Sequence, residues 1–125
     1  MTDKRPLSPH LQIYRLPMPA ILSITHRFTG VILFSGSMLL SMWIVCLYLG
    51  ERAFNFMQSI FGNPIGQLIL IGYTFSLFYH AFNGIRHLTW DFGIGMDMSN
   101  IYRSGYVVIS LSSLLTIVFW YIIYF

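Results

Sequence analysis

Charged side chains are scarce in this sequence, which has seven Lys or Arg and four Asp or Glu among its 125 residues. A soluble domain carries roughly a quarter charged residues, so a chain with 9% charge is not built to face water on all sides. Cysteine is nearly absent too, and the single Cys46 excludes an intrachain disulfide. Residues 1–10 lack the apolar core of a signal peptide and the long Arg- and Ser-rich stretch of a transit peptide, which favours a bacterial or organelle-encoded chain.

The sequence contains three long stretches without a charged residue, at 28–50, 53–85 and 104–125. Crossing the hydrocarbon core takes roughly 20 apolar residues per helix, and a backbone in lipid must form its own hydrogen bonds. We therefore predict an all-α integral membrane protein. Its anchor domain, 20–125, has three transmembrane helices, at about 20–49, 65–90 and 104–125, with a loop between the first two.

The positive charges predict how the chain is oriented. Six of the seven Lys and Arg fall within 1–27 and 86–103, and only Arg52 lies in the first loop. Because positive side chains collect on the inner side of a membrane, residues 1–19 are expected to be a polar segment on the cytoplasmic or matrix side. The membrane would be a bacterial cell membrane or the mitochondrial inner membrane.

His80 is the one histidine deep inside a predicted span. It lies six residues before Arg86, about 9 Å along a helix axis from that charged end. An ionisable group at this depth is costly and suggests a function. Two interpretations fit its depth: an axial ligand to a haem iron, or a neutral histidine bonded to a hydroxyl group on a neighbouring helix.

The spacing of the residues that follow His80 favours the haem interpretation. His87 follows His80 by seven residues and returns to the same helix face, and Gly84 between them would let a flat ring approach the backbone. His80 suits the iron, while His87 and Arg86 at the membrane edge are candidates for the propionates. Arg86 and His87 also fit an ordinary solvated helix end.

A second cluster lies at the start of the first span. Ser23 and Arg27 are i,i+4 neighbours, with His26 beside them. A hydroxyl and a cation at the inner edge of the bilayer could bind the head group of a quinone. The alternative is a capping serine with a snorkelling arginine, which spacing alone favours.

The shortage of deep histidines predicts a partner. A haem iron with two axial ligands at the depth of His80 needs a second nitrogen that this chain does not offer there. Three helices are also too few to enclose a haem well, since haem sites in bundle cores are usually built from four or more helices. The chain is therefore expected to be part of a haem-binding helix bundle shared with another subunit or a second copy.

Three motifs together resemble a known family. They are Arg5-Pro-Leu-Ser-Pro-His-Leu-Gln-Ile-Tyr14, Ser23-Ile-Thr-His-Arg-Phe-Thr-Gly30 and His80-Ala-Phe-Asn-Gly-Ile-Arg-His-Leu-Thr-Trp-Asp91. These motifs resemble the C-type cytochrome b556 membrane anchors of succinate dehydrogenase (complex II). The resemblance covers nearly the whole chain.

The resemblance implies a heterodimeric anchor in which His80 is the axial ligand of haem b and the second anchor subunit supplies the other ligand. It implies that His26, Arg27 and His87 lie near the propionates, and that Ser23 and Arg27 belong to the ubiquinone-reduction site. An iron–sulfur subunit and a flavoprotein would complete the enzyme, since the chain catalyses no complete reaction alone. Membrane lipid is a further expected partner, and nucleic acid is not.

Two other functions fit the same pattern. One is the anchor of a fumarate reductase that works with menaquinone, in the same fold and the opposite direction. The other is a haem-free structural anchor or small transport subunit, in which His80 is a packing or proton-relay residue.

Overall fold

The computed structural model describes residues 15–125, and residues 1–14, most of the predicted polar segment, lie outside it. The described helices are α1 (Met18–Leu49), α2 (Glu51–Gly62), α3 (Pro64–Asp91) and α4 (Met98–Tyr124). Of these, α1, α3 and α4 are long and apolar enough to cross a membrane. The prediction of an all-α chain with three spans is confirmed.

The connection between the first two spans is a helix, where the sequence predicted a loop. Gly50 has a φ of 101°, a left-handed value that suits glycine, and it separates the end of α1 from the start of α2. Glu51 therefore opens a new helix, in which an acidic first turn is favourable. Met57 of α2 is buried and Phe54 packs on Trp43 with 5.8 Å between ring centroids, so one face of α2 lies against the spans.

Asn63 joins α2 to α3. Its side-chain oxygen accepts hydrogen bonds from the backbone amides of Ile65 and Gly66 (2.9 and 3.0 Å), and its side-chain nitrogen donates to the Ile60 carbonyl (2.6 Å). Pro64 follows as the first residue of α3, where its missing N–H costs nothing. One side chain thus satisfies backbone groups at the end of α2 and the start of α3.

Asn63→Ala should destabilise the protein, because it removes both sets of bonds while leaving the rest of the turn intact. Loss of an N-cap typically costs about 1 kcal/mol. Thermal unfolding of the detergent-purified protein is expected to show a lower midpoint for Asn63→Ala than for Asn55→Ala, a change at an exposed site on α2. Equal midpoints would show that the turn does not depend on this cap.

The interior between the spans combines a small apolar cluster with many polar side chains, whereas the outside is apolar. The buried polar side chains are Thr29, Ser76, Asn83, Arg86, Ser112 and Thr116. Large apolar side chains point outward instead, and Phe28, Val31 and Phe34 of α1 are each 65% exposed. This arrangement is expected in lipid, where small and polar residues lie between the helices and apolar residues face the hydrocarbon.

α3 lies between the other two spans and packs against both α1 and α4. It approaches α1 closely at Gly36, where an added Cβ atom would lie 2.7 Å from the Tyr73 ring. The tyrosine hydroxyl bonds to Ser35 at 2.9 Å next to this contact. The register between α1 and α3 is therefore set by specific contacts, and this register brings the candidate residues together.

A short turn connects α3 to α4. Gly93 and Gly95 both have a φ of 75°, and Asp97 then caps α4 by accepting a bond from the Asn100 amide at 3.2 Å. The side chain of Asn100 donates to the same carboxylate, and these bonds hold the pKa of Asp97 below its usual value.

Candidate functional site

Three histidines meet where α1 and α3 face each other. The ring of His26 lies 4.2 Å from that of His80 and 5.3 Å from that of His87, measured between centroids, and it stacks on the latter at 17°. His80 and His87 share one face of α3, as their spacing of seven predicts. The position of His26 between them comes from the register of two helices, which the sequence does not reveal.

The hydrogen bonds of His80 orient its imidazole ring. Its Nδ1 lies 3.1 Å from the His26 carbonyl oxygen and 3.1 Å from the Thr29 hydroxyl. That hydroxyl donates its own hydrogen to the same carbonyl at 2.8 Å, so both groups facing Nδ1 are acceptors. Nδ1 must therefore carry the proton of a neutral ring, and Nε2 keeps its lone pair. Histidines that bind metals typically have this arrangement, with one nitrogen held by a backbone carbonyl.

Gly30 makes room for the ring of His80. A Cβ atom at this position would lie 3.2 Å from His80 Cε1 and 3.8 Å from Nδ1. Gly84 has a looser relation to the cluster, since its Cβ would lie 3.9 Å from His26 Nε2. The glycine that closely fits the candidate ligand is thus on α1, opposite the histidine, and not on α3 as the spacing suggested.

Gly30→Val should displace the His80 ring, because the added methyl groups would enter space that the imidazole occupies. If His80 binds a haem, the haem content of the purified complex is expected to fall roughly tenfold, as for changes to groups that orient a metal ligand. Gly72→Val is the matched control, since a Cβ atom there meets nothing within 4 Å. Equal haem content in both variants would mean that the contact with Gly30 does not position His80.

His26 has a polar atom without a partner. Its Nε2 is buried and forms no hydrogen bond to any residue in the part of the chain that the structure describes. Leaving such a group unpaired typically costs about 1–3 kcal/mol. An acceptor from outside the chain, such as the carboxylate of a bound group, would satisfy it, so the cluster is chemically incomplete by itself.

The chain is similar to a family of membrane proteins. Residues 1–119 match the family model described as succinate dehydrogenase/fumarate reductase transmembrane subunit. The chain belongs to this family. It is 41% identical over 119 residues to the succinate dehydrogenase cytochrome b556 subunit of Rickettsia felis, covering 94% of this chain and 92% of that protein.

Other relatives extend the likeness from bacteria to mitochondria. The cytochrome b556 subunit from Paracoccus denitrificans is 39% identical over 113 residues, covering 90% of this chain and 87% of that protein. The mitochondrial cytochrome b560 subunit from Homo sapiens is 38% identical over 116 residues, covering 90% and 68%. The family resemblance identified in the sequence is confirmed.

Ser23 and Arg27 lie one turn apart near the N-terminal end of α1. Ser23 is half-buried and Arg27 is exposed. The capping interpretation of Ser23 is wrong, because α1 begins at Met18 and its N-cap is Pro17, without a side-chain bond. Ser23 is therefore inside the helix, where its hydroxyl has no capping role.

Arg86 does not face the histidine cluster. Its guanidinium donates to the Ser104 hydroxyl (2.9 Å), the Ile101 carbonyl (3.0 Å) and the Asn83 side-chain oxygen (3.2 Å). It also lies over the Trp90 ring, 4.0 Å from the centroid, and is 4% exposed. The suggestion that it meets a propionate is not supported, since this side chain packs α3 against α4.

Two residues of the cluster were missed from sequence alone. Thr29 lies three positions after His26 and Gly30 lies four after it, so both are one helical turn away on the same side of α1. That spacing places Thr29 and Gly30 on the face of α1 that carries His26. The sequence does not reveal the register that sets this face opposite His80.

Proposed function

We propose that this chain is the cytochrome b anchor subunit of a succinate dehydrogenase, in which His80 is an axial ligand of haem b. The observation that carries the proposal is the orientation of His80. Its Nδ1 is held by the His26 carbonyl and the Thr29 hydroxyl, so Nε2 has a lone pair for iron. The cytochrome names of the relatives support the same conclusion.

The residues around His80 fit the edge of a haem. His26 has an unpaired buried Nε2, His87 stacks on it, and Arg27, the residue after His26, is exposed and would add a cation. Together they would hold two propionates by charge-assisted hydrogen bonds. Bound haem b accepts and gives up single electrons, and the role of this chain is to hold and orient it and to limit its contact with water.

The second axial ligand would come from another anchor subunit. The ring of His26 is only 4.2 Å from that of His80 and stacks on that of His87, so the cluster would leave no space for an iron between His26 and His80. The apolar face of α1 around Phe28, Val31 and Phe34 offers a surface for a partner within lipid. The iron–sulfur subunit and the flavoprotein would dock on the inner side of the membrane, which the positive charges of the sequence predict for the N-terminal segment.

We propose further that Ser23 and Arg27 form part of the ubiquinone-reduction site. A quinone takes up two electrons and two protons, and negative charge develops on its carbonyl oxygens before the protons arrive. A hydroxyl and an exposed guanidinium one turn apart can donate hydrogen bonds to such an oxygen. Their position near the inner edge keeps them close to water that supplies protons.

Purification of the complex through a tag on this chain tests the proposal. A flavoprotein, an iron–sulfur protein and a second three-helix subunit are expected to co-purify, with one haem b bound between the anchors. The reduced-minus-oxidised difference spectrum is expected to show b-type absorption. A complete complex without that absorption would favour the haem-free anchor instead.

The direction of the reaction is tested with the same preparation. The relatives described above are named as dehydrogenase subunits, which favours succinate oxidation with ubiquinone. Faster fumarate reduction with a menaquinol analogue than succinate oxidation with a ubiquinone analogue would favour the fumarate reductase. The assignment of the histidines does not depend on this result.

A further inference from the structure

The carbonyl oxygen of Leu22 is held by two side chains of α3. It accepts hydrogen bonds from Asn83 Nδ2 (3.1 Å) and from the Tyr79 hydroxyl (3.3 Å), and Tyr79 is itself hydrogen-bonded to the Thr25 hydroxyl on α1. Asn83 has no exposed surface and Tyr79 is 5% exposed. A buried polar contact of this kind fixes the position of one helix relative to another.

Arg86 determines which way the Asn83 amide points. The guanidinium donates to Asn83 Oδ1, so the oxygen end of the amide faces the cation and the nitrogen end faces the Leu22 carbonyl. A flipped amide would set a donor against Arg86 and an acceptor against Leu22. Arg86 is itself held by α4 through Ser104 and Ile101, so the amide has one favourable orientation.

α4 reaches the same turn of α1 directly. A Cβ atom at Gly105 would lie 2.5 Å from a methyl carbon of Leu22 and 2.9 Å from the terminal carbon of Met18. By contrast, the start of α1 has no side-chain cap of its own. The early turns of α1 are therefore positioned against α3 and α4 by contacts between helices, without help from a side-chain cap.

We propose that Asn83, oriented by Arg86, is a positioning residue for the quinone site. It holds the α1 turn that carries Ser23, the residue next to Leu22, and Arg27 follows one turn later. A displacement of about 1 Å in a group that positions a substrate can lower a rate roughly 100-fold. The inference rests on the proposed quinone site and adds the residues that set its geometry.

Asn83→Asp is the sharpest test, because the two side chains have nearly the same shape. The carboxylate keeps an acceptor for Arg86, which favours its ionised form, but it can no longer donate to the Leu22 carbonyl. Asn83→Leu removes both bonds and serves as the second variant. Thr116→Val is the matched control, since it replaces another buried polar side chain, whose hydroxyl donates to the Ser112 carbonyl of its own helix and makes no bond between helices in the described structure.

Each variant is measured as the intact complex in membranes. For Asn83→Asp we expect a roughly tenfold higher KM for a ubiquinone analogue, with succinate oxidation by a soluble dye and haem content unchanged. Thr116→Val is expected to match the wild type in all three measurements. A selective rise in KM is a result that a merely structural role would not produce.

Other results would overturn the proposal. An unchanged KM in an assembled Asn83→Asp complex shows that the Leu22 contact does not position the site. A parallel loss of dye reduction, haem and assembly in both Asn83 variants shows that Asn83 only holds the bundle together. If Ser23→Ala and Arg27→Ala also leave quinone reduction unchanged, the proposed quinone site itself is wrong.

Discussion

His80→Ala is expected to remove the b-type absorption from the purified complex. The substitution removes His80 Nε2, which has a free lone pair. Among the three clustered histidines, His80 is the one whose other ring nitrogen is held by a backbone carbonyl. Removing an outer partner of a metal ligand typically costs 10- to 100-fold in affinity, and loss of the ligand itself should cost at least roughly 100-fold. The haem content per complex and the difference spectrum measure this effect.

The control for His80→Ala is a substitution of similar size elsewhere in α3. Phe78→Ala removes a ring on the side of α3 that packs on Phe119 of α4. It is expected to leave the spectrum unchanged, whereas unchanged absorption in His80→Ala would assign the iron to another histidine. Succinate oxidation by a soluble dye shows in both variants whether the catalytic subunits remain attached.

Arg27→Ala is expected to lower quinone reduction by roughly 10- to 100-fold, because a hydrogen bond to a charged group is worth about 1.5–3 kcal/mol. Ser23→Ala should have a smaller effect in the same direction, since it removes a neutral donor. Reduction of a soluble dye by succinate should persist in both variants, because that reaction does not use the membrane quinone site. The ratio of the two activities is the measurement.

Arg103→Ala is the matched control for Arg27→Ala. Arg103 is also exposed and lies near the N-terminal end of α4, on the same side of the bundle as the N-terminal end of α1. A general effect of removing a positive charge from this side of the membrane would lower quinone reduction in both variants. If Arg27→Ala behaves like the wild type, its guanidinium only snorkels to the membrane surface.

The three spans could be predicted from the sequence because each is a long stretch without charge, and nothing but a helix fits such a stretch in lipid. α2 was not predicted, although Phe54, Met57 and Phe61 recur at helical spacing, because the charged pair Glu51–Arg52 that precedes them was interpreted as the start of a loop. That pair is typical of the end of a span. The turn at Gly50 and the double cap at Asn63 become visible only in three dimensions.

The candidate site was predictable along a single helix but not between helices. The spacing of seven residues placed His80 and His87 on one face of α3. The same helical period separates Arg86 from His87 by about 100° around the helix axis. That separation alone does not exclude Arg86 from the site, since His26 and Arg27 are also neighbours, and it is the bonds of Arg86 to Ser104 and Ile101 of α4 that exclude it. The contacts of His80 with Thr29 and of Asn83 with Leu22 join α1 to α3, and their register depends on packing.

The central claim is that His80 Nε2 is one of the two axial ligands of the iron. Near-infrared magnetic circular dichroism of the oxidised complex tests this claim most directly, because the position of the near-infrared band of the haem depends on the pair of axial ligands. His80→Met keeps a side chain that can bind iron but changes the ligand type. We predict a bis-histidine signature for the wild type and a histidine–methionine signature for His80→Met. A bis-histidine signature that persists in His80→Met would contradict the assignment.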